Sequence, residues 1–174
     1  MMPTLTDEQV DNFAQELEGY ITEMRKIPKD TGSETRICNS LGGGIFDFRI
    51  QDSVRKVLIF EDEAELNKYL TSDVFIEEEN REMISKAHGI KHSIVFTHAD
   101  LHAVNIRVDD TGKITGIIDW ETAGWYPEHW EYVKMRFTNL SCGRWMADVT
   151  DVIFTGYREE LEADKLIQSH FPGY

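Results

Sequence analysis

Val10, Phe13, Leu17, Ile21 and Met24 recur three or four residues apart, the spacing that lines one face of an α-helix. Thr6 precedes them with Gln9 three residues on, a capping-box pair, and Asp7 and Glu8 suit the positive end of the helix dipole. The pattern predicts a long core-packing helix from Thr6 that ends near Pro28. Between residues 29 and 60 the pattern is less regular. KDTGSETR reads as a polar loop, and LGGGIFDFRI as a glycine turn followed by an alternating segment. Helical spacing returns from Glu61 to about His88 through Ala64, Leu66, Tyr69, Leu70, Phe75, Met83 and Ile84, with Glu77, Glu78 and Glu79 as a solvated face.

The middle of the chain changes period. SIVFT is a short β-rich run that enters the loop HADLHAV, and NIRV and ITGIID are two more such runs joined by DDTGK, a good hairpin connection. Pro127 suits the first position of a helix carrying Trp130, Val133, Met135 and Phe137. A further helix is predicted through Trp145, Val149, Val152 and Ile153, and after Gly156 a last one through Leu161, Leu166 and Ile167. The chain shows no internal repeat, low-complexity stretch or linker. Its 174 residues are therefore expected to form a single α+β domain, mainly α.

Composition narrows the function. Hydrophobic residues make up 41% and charged residues 29%, a globular balance rather than a disordered or membrane one. No apolar run approaches a bilayer span and MMPTLTDEQ lacks the regions of a signal peptide, so a cytoplasmic protein is expected. A net charge of −14 argues against nucleic acid or an anionic membrane as partner and is compatible with a cationic small molecule. Cys38 and Cys142 are far apart with no Cys-x-x-Cys pair, so both read as reduced and structural. Gly42, Gly43 and Gly44 lack the Gly-Lys-Ser/Thr ending of a P-loop, and Lys56 is not framed as a phosphate-binding lysine. The glycines read as a turn.

Chemistry concentrates between Thr97 and Trp120. If Asp109 and Lys113 flank the turn, an antiparallel hairpin brings Asn105 close to Asp119, and Asp100 lies in the loop entering the same mouth. Asn105 and Asp119 are hard oxygen donors of the kind magnesium takes beside water and phosphates. Asp100 is placed to accept a proton from an attacking hydroxyl, and His98 to organise the loop. The plain alternative is that all three oxygen-bearing residues are Asx caps of turns.

The motifs His98-Ala99-Asp100-Leu101-His102-Ala103-Val104-Asn105 and Ile117-Ile118-Asp119-Trp120-Glu121 resemble the aminoglycoside phosphotransferase and choline-kinase-related family. Its catalytic loop reads His-Gly-Asp-Leu-x-x-x-Asn and its metal-binding strand ends in Ile-Asp-Trp or Ile-Asp-Phe. The segment AGWYPEHWEYVK is also similar to the stretch after the metal-binding Asp in many members. Ala99 stands for the usual Gly and Ala103 for a common Pro. The resemblance implies the C-terminal lobe of a protein-kinase-like fold with a small β-hairpin at the active-site mouth. It also implies Asp100 as catalytic base, His98 as its catalytic-loop support, Asn105 and Asp119 as metal ligands, magnesium and ATP as cofactors, and a small-molecule substrate.

Family members carry an N-terminal lobe of strands with the nucleotide-phosphate lysine and most of the adenine pocket, and on this resemblance the given sequence is expected to start where that lobe would end. Three expectations arise. The first is a phosphotransferase, impaired alone or completed by a partner chain or a homodimer over the uncovered face. The second is an ATP-independent biosynthetic enzyme, a cyclase, isomerase or dehydratase, whose Asp100 or Asp119 is partly desolvated by Trp120, Trp125 and Tyr126. The third is a pseudokinase-like binding module.

Overall fold

A computed structural model describes residues 5–72, 75–137 and 143–169; Cys142 lies outside them. The first helix, α1 (Asp7–Met24), forms as its capping signal dictates. Thr6 Oγ1 accepts from the Gln9 amide at 3.2 Å and Gln9 Oε1 accepts from the Thr6 amide at 2.9 Å. Its apolar stripe is buried throughout.

The segment after α1 makes a two-residue strand, β1 (Cys38–Asn39), and the glycine turn. Gly42 sits at φ +79°, a conformation that suits glycine, and the Asn39 side chain accepts from the Leu41 and Gly43 amides to close the turn. The expected alternation beyond it is real in burial but is not a strand. Ile45, Asp47 and Arg49 point inward, Phe48 points out, and a short 3₁₀ turn (Gln51–Val54) follows.

Two helices, α2 (Glu63–Thr71) and α3 (Glu78–His88), occupy the stretch from Glu61 to about His88 where helical spacing is expected. Glu77 is extended and forms the N-cap of α3, and Phe75 before it is exposed. Glu77, Glu78 and Glu79 are exposed, as a solvated face requires.

Strand β2 (Ile94–Thr97) and the hairpin β3 (Ile106–Val108) and β4 (Ile114–Ile117) follow the predicted order. The next segment corrects the prediction. Pro127 ends a strand, β5 (Gly124–Pro127), instead of starting a helix. β5 lies between β1 and β2, antiparallel to both. A Cβ on Gly124 would come within 2.4 Å of the Cys38 carbonyl, so only glycine allows this pairing. Helix α4 (Trp130–Phe137) then begins. A π-helical segment (Trp145–Thr150) runs into the short α5 (Asp151–Ile153), and α6 (Arg158–Gln168) follows a turn at Gly156, φ +99°. Within that stretch Val152 is exposed while Trp145 and Val149 are buried.

The fold is α+β. One core joins α1 to the hairpin, α4 and the π-helical segment; a second gathers Ile37, Ile45, Phe60, Leu66, Tyr126 and Trp130. Between α4 and α6 lies a buried charge cluster. Asp47 accepts from Arg49 Nε at 3.3 Å, Trp130 Nε1 at 3.1 Å and Lys134 Nζ at 3.1 Å, while Arg49 Nη1 also reaches both oxygens of Asp164. Burial alone would raise the Asp47 carboxyl, but Arg49 and Lys134 outweigh it and hold it well below the usual carboxylate range.

Candidate active site

The loop between β2 and β3 is shaped from several sides. His98 is fully buried, and its ring is spoken for by backbone. Nε2 lies 3.0 Å from the Ile118 carbonyl, so it carries the hydrogen, and Nδ1 accepts the Asp100 amide at 3.2 Å. His98 thereby ties the loop to the end of β4. The carbonyl of His98 accepts from Thr122 Oγ1 at 2.8 Å, and the Thr122 carbonyl accepts from Tyr126 Oη at 3.1 Å. Glu131 of α4 completes the frame, because its Oε2 accepts the amides of His98 at 2.8 Å and Ala99 at 3.3 Å. Glu131 is fully buried, and burial pushes its carboxyl above the usual value despite the opposing effect of His98 and these amides.

Ala99 bends the loop at φ +63° and is fully buried. A residue with a Cβ is strained in the left-handed region by about 1–2 kcal/mol. Asp119 has the same hand, φ +69°, a conformation that Asp tolerates better than most residues.

Asp100 has both carboxylate oxygens engaged. Oδ1 lies 2.8 Å from His102 Nε2, and Oδ2 accepts from Asn105 Nδ2 at 2.8 Å, with the same Nδ2 also donating to the Asp100 carbonyl. Burial works to raise the Asp100 carboxyl, but the hydrogen bond and charge of His102, the charge of Lys134 and the Asn105 amide outweigh it and hold it below the usual carboxylate value. Asp100 is thus kept as an anion, the form that accepts a proton.

The hairpin register explains how Asn105 and Asp119 are set. A bulge between Arg107 and Val108 shifts the pairing, so Ile106 faces Ile117 and the Ile118 amide donates to the Asn105 carbonyl at 2.9 Å. Asn105 therefore pairs one residue short of Asp119, and the positive φ turns the chain immediately after. α1 holds the far end of the hairpin, where Glu16 Oε2 accepts the Ile114 amide at 3.0 Å and Gln9 Nε2 donates to the Thr111 carbonyl at 3.4 Å.

The aromatic setting differs from the expectation. Asp119 is exposed and so is not desolvated. Of the three aromatic residues, Trp120 packs on the His98 ring at 4.5 Å between centroids. Trp125 packs on Phe96, and Tyr126 stacks on Trp130 in the second core. Behind Trp120 an apolar cavity of about 280 Å³ opens, lined by Tyr20, Met24, His98, Leu101, Ile117 and Trp120. The glycine turn at 42–44 closes on itself, and Lys56 pairs with Asp52 on the surface.

Sequence reasoning missed Glu131 and gave no role to His102. Only the position of His102 inside the loop motif could have drawn notice; Glu131 meets the loop through tertiary packing, 33 residues away.

The chain's residues 4–166 match the profile of the phosphotransferase enzyme family. The chain belongs to that family. Comparison with curated proteins gives no match. Both loop motifs of this phosphotransferase-family chain fall inside the matched span, so its ancestry is in phosphoryl transfer, the family to which the aminoglycoside and choline-kinase-related enzymes belong. Among the described residues no helix is long and apolar enough to cross a membrane.

Proposed function

We propose that this chain takes part in magnesium- and ATP-dependent transfer of a phosphoryl group to a hydroxyl of a small molecule, with Asp100 as the base. The observation that carries the reading is the setting of Asp100: its carboxylate accepts from Asn105 Nδ2 and faces His102 Nε2 at the mouth of the hairpin that leads to Asp119. Proton acceptance by a positioned carboxylate contributes about 10²–10⁴-fold to such a reaction.

The donor set fits magnesium. With Nδ2 of Asn105 spent on Asp100, its Oδ1 accepts no hydrogen bond from the described residues, and neither does the carboxylate of Asp119. These two hard oxygens would hold the ion, which when bound neutralises phosphate charge. His98 does not touch the reacting atoms in this reading. It positions Asp100 by accepting its amide and fixes Ile118 next to Asp119.

The test is ATP turnover by the purified chain against a panel of amino sugars, choline-like amino alcohols and simple polyols, with and without magnesium. The proposal expects magnesium-dependent product formation that falls at least about 10²-fold in Asp100→Asn. Turnover of any of these substrates without nucleotide, or equal rates in Asp100→Asn, would count against it.

A further inference from the structure

A second cluster of ligating side chains lies away from the loop motifs. Glu63, at the start of α2, His92, just before β2, and His129, just before α4, each bring one ligand atom to a common point, the three lying within 4.8 Å of one another. Glu63 Oε1 is 2.7 Å from His92 Nδ1, and Glu63 Oε2 accepts the His92 amide at 3.0 Å. The other ring nitrogen of His92, Nε2, is 3.1 Å from Glu160 Oε1 on α6.

His129 breaks the pattern of satisfied groups. Its Nδ1 is buried and has no hydrogen-bond partner; Glu63 Oε1 is 3.7 Å away, beyond hydrogen-bond reach. Glu160 Oε2 is likewise buried and unpartnered. Burial, and then the neighbouring His92, hold the His129 ring well below its usual pKa, so it offers a lone pair. A cavity of about 20 Å³ borders Glu63, His129 and Glu160, room for about one water-sized occupant.

The geometry points to a binding site for a zinc-class divalent cation made by Glu63, His92 and His129, with Glu160 holding the outer nitrogen of His92. Two imidazoles and one carboxylate form a borderline donor set that prefers zinc, cobalt or copper to magnesium. The carboxylate behind His92 is the outer partner that fixes a ligating histidine's tautomer and raises its basicity. On binding, the ion displaces the proton between His92 Nδ1 and Glu63 Oε1, one proton is released, and Nε2–H stays on Glu160. The site spans α2, the approach to β2, the approach to α4 and α6, so its occupation staples four parts of the chain.

The test is titration of the full chain with Co²⁺, then with Zn²⁺, in excess Mg²⁺, with the visible d–d absorption and the thermal midpoint as readouts. One equivalent of Co²⁺ should give the intense bands of a four- or five-coordinate site, Zn²⁺ should abolish them, and Zn²⁺ should raise the midpoint. His129→Gln should lose the bands, Glu160→Gln should weaken binding about 10–100-fold at unchanged stoichiometry, and Asp119→Asn should keep them. A wild-type chain without the bands overturns the proposal, as do bands that survive His129→Gln or vanish in Asp119→Asn. If His129→Gln fails to fold by circular dichroism, Glu160→Gln decides, and unchanged affinity there overturns it.

Discussion

Replacing Asp47 by Asn tests whether the buried charge cluster holds α4 and α6 against the rest of the fold. The substitution keeps the shape of the side chain and removes the charge that Arg49 and Lys134 both face at 3.1–3.3 Å. At these separations each attraction is worth about 5 kcal/mol at an effective dielectric of 20, most of it offset by the desolvation of groups that are almost fully buried. Removing one member does not recover that desolvation, because the two cations stay inside, so the expected loss is about 3–5 kcal/mol. For a chain of this size it corresponds to a fall in melting temperature of about 6–20 °C.

Thermal melts followed by circular dichroism at pH 7 measure it. The pH dependence supplies a second reading. Asp47 is held well below its usual value of 3.8, so its contribution is complete above that value and fades as pH falls through the lower folded-state value. The gap between wild type and Asp47→Asn should therefore be constant from pH 5 to 7 and narrow only below about 3.8. A drop in melting temperature under 2 °C at pH 7, or a gap that narrows between pH 7 and 5, would show that the cluster does not hold these helices.

Further predictions concern the loop. Glu131→Ala leaves the amides of His98 and Ala99 without their acceptor and should destabilise by about 2–6 kcal/mol in denaturant unfolding. Glu131→Gln keeps that acceptor; because burial raises the Glu131 carboxyl, wild type loses stability as pH rises above the usual value of 4.5, and the variant should gain on it over that range. Ala99→Gly relieves about 1–2 kcal/mol of strain but gives up about 0.8 kcal/mol of methyl burial and about 0.4–1 kcal/mol of chain entropy, so it should stay within about 1 kcal/mol of wild type. Ala99→Val, β-branched and overpacked at the same backbone angle, should lose about 2–3 kcal/mol in the same assay.

What could be read from the sequence was what local geometry decides. The Thr6 cap, the α1 stripe and the β3–β4 hairpin with its turn are set by residues within a few positions of one another, and they appear where expected. Asp100 and Asn105 fall in one loop for the same reason. Pro127 misled because proline suits a first helical residue and a strand end equally, and the choice was made by β1 and β2 on either side of β5. Asp47 and Arg49 were hidden because a buried charge is intelligible only with its partners, and Lys134 and Asp164 lie 87 and 115 residues away from them. Glu131, His92 and His129 were passed over on the same ground: each acts through a contact that only the packed chain makes.

A hairpin mouth that serves as a magnesium–nucleotide site beside Asp100 must bind ATP in solution. Calorimetric titration of ATP into the purified chain, with magnesium and with EDTA, measures this. Saturable binding that requires magnesium and is lost in Asp119→Asn is the expected result. No heat of binding in the wild-type chain, or binding indifferent to magnesium and to Asp119, would rule such a site out.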